Sequence, residues 1–250
     1  MTRLNELDLL SPAPYPLARV GHVIAPTLRQ VAALGYETYN AYLSLLSLHA
    51  EQLFAASGLP DPGGANAFHT LIGNQELRAL LCAAFSFFLV EDAVFSQAHS
   101  ALLCMAEGHP VGIIHEANYE DVCDCILQRN HVDSAQPDRK QFRNDKAREI
   151  YEKLQRAKKK SPQQAKEKQA DASLPNLISA LCVQHNSINM YNVWDLTVYQ
   201  LYDQFLRQSY LNQVNIHAMN YAGWGRYDEP DLTATHFWLR PPVDEYCNAF

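Results

Sequence analysis

Apolar residues recur every three or four positions over much of this chain, which is the spacing of amphipathic helices. The pattern predicts helices over residues 27–57, 74–89, 118–130 and 173–185. Thr27 and Asn74 are suitable N-caps for the first two. The 74–89 helix contains the most apolar run of the chain, so we expect it at the centre of the core.

The strongest helical pattern covers residues 192–208, with Asn192 and Asp195 as its predicted N-terminal cap. One face of this helix carries large apolar residues: Trp194, Val198, Leu201 and Phe205. A long charged helix with a narrow apolar stripe is predicted at 143–160, followed by a break at Ser161.

Other parts of the chain do not have helical spacing. Residues 92–115 contain three short β-prone pieces separated by turn sequences, which predicts a small antiparallel β-meander. Prolines at 12, 14, 16 and 26 predict an extended N-terminal arm over residues 1–26, because proline lacks a backbone donor and disfavours helix before it. Residues 211–250 are aromatic and mostly irregular in pattern, with one strand near 235–239.

These elements together predict the fold class. We expect an α+β protein with a single, predominantly helical domain over residues 27–210, which includes the meander at 92–115 and a basic charged helix at 138–170. The Pro-rich arm 1–26 and the segment 211–250 flank it. Apolar residues make up 48% of the chain and charged residues 19%, which is typical of a globular protein and excludes a disordered chain.

Membrane insertion and export are not predicted. The apolar stretch Leu80–Val90 is about half as long as a membrane-spanning helix. Residues 1–10 lack the basic start and the apolar run of a signal peptide. We therefore expect a cytoplasmic protein whose six cysteines are free thiols.

The charge distribution is uneven. The chain has a net charge of −7, yet Lys and Arg outnumber Asp and Glu over residues 138–168. This basic stretch has almost no aromatic residues, which argues against base stacking with nucleic acid. A helix exposed to solvent or facing a partner is the favoured interpretation.

No catalytic or cofactor motif is present in the sequence. Cys123 and Cys125 are two residues apart, so on a helix their sulfurs diverge and do not suit zinc. Asp195 and Asp203 have a spacing that would suit a carboxylate pair, but capping and solvation explain both more simply. The sequence therefore predicts no enzyme, no cofactor and no metal site.

Three segments carry a family resemblance. They are PYPLARVGHVIAPTLRQVAALGYETYNAYLSLL, NDKAREIYEKLQRAKKK and LPNLISALCVQHNSINMYNVWDLTVYQLYDQF. Together they resemble phage and prophage proteins of Gram-positive bacteria that are associated with tail morphogenesis and include tail assembly chaperone-like proteins. The resemblance spans residues 14–205, and residues 211–250 have no counterpart in it.

The resemblance implies a non-enzymatic morphogenesis factor in the host cytoplasm. Such a chaperone-like protein binds a helical tape-measure protein, or the tail-tube protein, until the tail tube forms. Two alternatives stay open. One is a structural virion component, such as a connector or baseplate subunit, and the other is a phage-encoded inhibitor of a host enzyme. A homo-oligomer is compatible with each.

Two sets of residues are candidates for partner binding. The apolar set, whose members have either a core or a groove role, is Trp194, Val198, Leu201, Tyr202 and Phe205. The basic set is Lys153, Arg156, Lys158, Lys159 and Lys160.

Reversing the five basic charges is expected to weaken association with an acidic partner several-fold at low salt, because charged surfaces steer encounter. The melting temperature should stay nearly the same. Pulldown at low and high salt measures the effect, and unaltered binding by the variant would contradict this role.

Overall fold

The computed structural model describes residues 3–48, 67–132 and 173–224. Its helices are α1 (Glu6–Leu10), α2 (Leu28–Leu34), α3 (Tyr36–Leu46), α4 (Ala67–Gly73), α5 (Gln75–Phe88), α6 (Glu116–Arg129), α7 (Leu174–Gln184) and α8 (Val198–Trp224). Its strands are β1 (Tyr15–Leu17), β2 (Gly21–Val23), β3 (Asp92–Ser96), β4 (Ala101–Ala106) and β5 (His109–Ile114). The predicted class, mostly helical α+β with a small antiparallel meander, is confirmed. The predicted basic helix 138–170, the break at Ser161 and the strand near 235–239 lie outside the described residues.

The described residues form two compact units. The first contains residues 3–48, 67–132 and 194–199, and the second contains 173–193 and 200–224. In the first unit, α5 lies at the centre of the core as predicted, with Leu81, Phe85 and Phe88 fully buried. Its cap is also confirmed, because the Asn74 side chain accepts hydrogen bonds from the first backbone amides of α5.

The β-meander forms where the sequence predicts it. Its strand order is β3-β4-β5, and both pairings are antiparallel. Ala93, Leu102 and Ile114 are buried on the face of the sheet that packs on the helices. The second turn consists of Glu107 and Gly108, both with positive φ, so β5 begins at His109.

The N-terminal segment is largely extended but contains more structure than an arm. It includes α1 and a hairpin of β1 and β2, whose Val20 and Val23 are almost fully buried. The backbone oxygen of Arg19 accepts from Ile113 of β5, and the oxygen of His22 accepts from Val90. The hairpin is therefore part of the first unit's core.

A buried arginine at the end of α6 holds the segment before the hairpin. Arg129 is 1% exposed, and its guanidinium donates to the backbone oxygens of Asp8, Ser11 and Ala13 at 2.8–3.1 Å. Burial lowers the pKa of Arg129. The neighbouring Gln128 accepts from the Leu4 amide, so the last turn of α6 positions most of the first 13 residues.

A buried carboxylate holds the hairpin itself. Glu91 accepts from both the backbone amide and the ring Nδ1 of His22, each at 2.9 Å. Gly21 has a φ of 139°, and a Cβ there would collide with the carboxylate, so glycine is required. Burial raises the pKa of Glu91, but the hydrogen bonds from His22 outweigh this and hold the pKa below its usual value.

The helix predicted over 27–57 is broken. Thr27 caps α2 as expected, in a capping box with Gln30. Gly35 has a φ of 95°, which lies outside helical geometry and separates α2 from α3. The prediction of a single continuous helix was therefore wrong. The second helix ends at Leu46, and residues 49–57 of the predicted range lie outside the described residues. The short α4 was not predicted.

The helix predicted over 192–208 has different ends. It begins at Val198 and extends to Trp224, and a single 3-10 turn (Val193–Asp195) precedes it. The helix begins later than predicted because the backbone of residues 196–198 forms antiparallel hydrogen bonds with the backbone of residues 26–28. Residues 211–224, expected to be irregular, are helical. The helices predicted at 118–130 and 173–185 are confirmed as α6 and α7.

Replacing Arg129 by Met should lower the free energy of unfolding by about 3 kcal/mol, because three buried carbonyl oxygens lose a charged donor. Arg29→Met is the matched control, since Arg29 pairs with Asp195 on the surface. Exposed pairs contribute less than about 1 kcal/mol. Urea denaturation measures both variants, and equal losses would contradict the assigned role of Arg129.

Replacing Glu91 by Gln should remove a pH-dependent part of the stability. The lowered pKa of Glu91 stabilises the fold above the unfolded pKa of about 4.3, and this contribution is lost as the pH falls through the folded pKa. The difference in melting temperature between wild type and Glu91→Gln should therefore be largest near pH 7 and shrink below pH ~4. A difference that does not change with pH would contradict this assignment.

Candidate partner-binding surface

The apolar residues selected from the sequence lie at and before the start of α8. Val198 and Leu201 are 1% and 0% exposed, so they have the core role. Trp194, Tyr202 and Phe205 are half-buried. The basic candidates Lys153, Arg156, Lys158, Lys159 and Lys160 lie outside the described residues.

The buried side of α8 continues along the helix as an exposed apolar side. Leu201 and Met219 are 18 residues apart, which is five full turns, so they point in the same direction. Leu201 is fully buried, whereas Met219 is 66% exposed. Phe205 and Ile216 are separated by about three turns, and Ile216 is 54% exposed. The side of α8 that carries Leu201 is thus buried near the start of the helix and open toward its end, whereas the buried Leu206 and Tyr210 lie on the opposite side.

The open half of α8 has no formal charge apart from its histidine. From Gln208 to Trp224 the sequence contains no Asp, Glu, Lys or Arg, and its polar positions are mainly Asn and Gln. An exposed helix normally has charged residues on its solvent side. A neutral helix with an apolar side is suited to packing against another helix.

A structured loop next to α7 presents further apolar side chains. The ring Nδ1 of His185 accepts from the amides of Ser187 and Ile188, and the side chain of Asn192 donates to the Ser187 oxygen. This fixed loop carries Tyr191, which is 91% exposed. The Asn212 side chain donates to Gln184 at 2.7 Å, which ties the end of α7 to the open half of α8.

We define the distal apolar surface as the exposed large apolar residues of the second unit. They are Val183, Met190, Tyr191, Leu211, Ile216 and Met219. Methionine adapts to differently shaped partners because its side chain is unbranched and flexible. The surface is therefore chemically suited to bind apolar protein segments.

The two aspartates considered for acid–base chemistry have separate structural partners. Asp195 is exposed and pairs with Arg29 at 2.8 Å. Asp203 is buried, and both of its oxygens accept from Nε of Arg207, one turn further along α8, at 3.0 Å. Each carboxylate is thus explained by its ion pair.

The neighbouring thiols Cys123 and Cys125 are both buried on α6. Burial raises the pKa of both thiols, that of Cys125 to about 11. Among the described residues, no group of three or more His, Cys, Asp or Glu side chains is arranged to hold a metal ion. His69 and Glu116 form an ion pair on the surface.

Sequence reasoning missed the part of the distal apolar surface that lies on α8, because it ended the last helix near Gln208. Two signals for it were present. Leu201 and Met219 have a five-turn spacing, and residues 208–224 contain no Asp, Glu, Lys or Arg. Both indicate that the helical pattern continues beyond the residues that form the core.

Comparison with known proteins finds one similarity that overlaps this surface. Residues 163–239 match the model of a family described as the YomV second domain, which is associated with phages and prophages. The matched residues are less than half of the chain. The match supports a phage-related protein, as the sequence resemblance implied. No curated protein and no solved structure matches the chain.

Within the described residues, no helix has both the length and the apolar character needed to cross a membrane.

Proposed function

We propose that this protein is a non-enzymatic phage morphogenesis factor, a tail assembly chaperone-like protein that binds a helical tape-measure protein. The distal apolar surface is the contact region in this proposal. The observation that carries it is that the side of α8 with the buried Leu201 continues into an exposed half of the helix that has no Asp, Glu, Lys or Arg.

The chemistry of the surface supports a helical partner. Ile216 and Met219 lie on one side of α8, about one turn apart, and can pack against apolar residues of another helix. A tape-measure protein is long and helical, so its apolar stripes are exposed before the tail tube surrounds it. Packing of this kind is reversible where a single helix makes the contact, because the buried area is small.

The match of residues 163–239 to a phage-associated domain family also supports the proposal, since it includes α7 and α8. The sequence resemblance adds the tail-morphogenesis context. In this account the protein acts in the host cytoplasm during assembly and leaves before the virion is complete. The basic residues at 153–160 remain a predicted second contact for acidic side chains of the partner.

The double variant Ile216→Asp with Met219→Asp should lose at least ten-fold in recovery of the tape-measure protein. Two carboxylates would have to be desolvated in the apolar contact. Pulldown from cells that co-express the neighbouring tail genes, with mass spectrometry, measures the effect. Leu7→Asp is the matched control, because Leu7 is 79% exposed in the first unit.

Both variants should melt within a few degrees of wild type, because the changed side chains are exposed. Recovery of the tape-measure protein by the double variant at the wild-type level would contradict the proposal. Recovery of a host enzyme instead would favour an inhibitor. Detection of the protein in purified virions, in a symmetric copy number, would favour a structural virion subunit.

A further inference from the structure

The outer face of the β-meander is apolar. Val94, Leu103 and Ile113 lie directly opposite one another across the three strands. They alternate with residues such as Ala93, Leu102 and Ile114, which face the core. Val94 is 51% exposed, and Leu103 and Ile113 are half-buried. Met105 and Val111 extend this face toward the second turn.

This composition is unusual for a sheet with one covered face. An antiparallel sheet of this kind normally alternates apolar residues toward the core with polar residues toward solvent. The central strand β4 has the sequence ALLCMA and is apolar at every position. A continuous apolar run is typical of a strand that is covered on both faces. On the outer face, Val94 and Val111 are 51% and 53% exposed, so this face is open along its two outer strands.

We propose that the outer face of the meander binds the apolar side of a helix from a partner protein, with basic residues at one end of that helix. The outer face is defined here by Val94, Leu103, Met105, Val111 and Ile113. It belongs to the first unit and does not depend on the proposed function of the distal apolar surface.

The strand edges favour a helix over an added strand. On the free side of β5, the Ile113 amide already donates to the Arg19 oxygen. On the free side of β3, the Ala93 amide donates to the Ser86 hydroxyl. A strand that pairs with an edge needs a row of free amides and carbonyls. Contact through the face is therefore favoured.

The size of the face favours one helix over a second copy of the chain. Three strands span about 14 Å, and a five-residue strand is about 17 Å long, which gives roughly 240 Å². A stable protein–protein interface needs about 800 Å² on each partner. Two to three turns of a helix about 10 Å wide match the smaller area.

Charge at one end of the face selects the orientation of that helix. Asp92 is exposed, lies on the same side of the sheet as Val94 and pairs with Met105 in the register of the sheet. Glu107 forms part of the turn that follows β4, at the same end of the sheet. Two acidic residues at this end attract lysine, arginine or the N-terminus of a helix.

Binding of a designed peptide tests the proposal. The probe is a fluorescein-labelled, 16-residue amphipathic helix with leucines on one side and two lysines in its first turn. A scrambled peptide of the same composition, which has no apolar side, is the control probe. Fluorescence anisotropy with the full chain should show binding of the amphipathic peptide at least ten-fold tighter than binding of the scrambled one.

Val94→Asp and Val111→Asp are each made in the Ile216→Asp/Met219→Asp background, so that the distal apolar surface does not contribute to binding of the peptide. Each should weaken this binding at least ten-fold relative to that background, whereas Leu7→Asp in the same background should leave it unchanged. Replacing the two lysines of the peptide by glutamates should weaken binding several-fold at low salt and little at high salt. Two variants of the face are used because one of them could fold poorly. A variant whose melting curve shows a folding defect is set aside, and the other still tests the face.

Three results would overturn the proposal. The first is that the wild-type chain shows no preference for the amphipathic peptide over the scrambled one. The second is that both aspartate variants bind the amphipathic peptide as tightly as the Ile216→Asp/Met219→Asp background does. The third is that light scattering shows a dimer that Val94→Asp converts to a monomer, which would assign the face to a second copy of the chain.

Discussion

The contact of the Arg129 guanidinium with three backbone oxygens is the constraint on which the first unit depends. It fixes the segment from Asp8 to Ala13 against the end of α6. The hairpin of β1 and β2 follows this segment directly, and Glu91 then anchors it through His22. Because of these two buried polar contacts, a proline-rich segment with little helical or strand propensity of its own covers part of the core.

Each unit contains an apolar element that is only partly buried. In the first unit, the meander packs one face on α5 and exposes the other. In the second unit, α8 buries the side that contains Leu201 and exposes the continuation at Met219. Extra apolar surface is costly in water, so its retention in both places is typical of a protein that works by binding other chains. Such exposed apolar surface supports the proposed binding of partner chains.

The sequence predicted those elements whose signals are local. Asn74 and Thr27 were identified as caps, and the turn sequences between the β-prone pieces of 92–115 gave the meander, because both signals depend on neighbouring residues. The break in the 27–57 helix at Gly35 was missed because apolar residues keep helical spacing on both sides of it. The late start of α8 depends on pairing with residues 26–28, which are distant in sequence. Periodicity does not reveal where the packing of a helix ends. For this reason the sequence did not decide between a core and a groove role for Val198 and Leu201, and it did not show the distal apolar surface on α8.

Site-specific photo-crosslinking tests the central claim most directly. A photoreactive amino acid is placed at Met219 in the full chain, the phage genes are expressed, and the crosslinked protein is identified by mass spectrometry. The account predicts a crosslink to a helical segment of the tape-measure protein, together with no such crosslink when the same residue is placed at Leu7. A crosslink only to a host enzyme, to a second copy of this chain or to a mature tail subunit would contradict it.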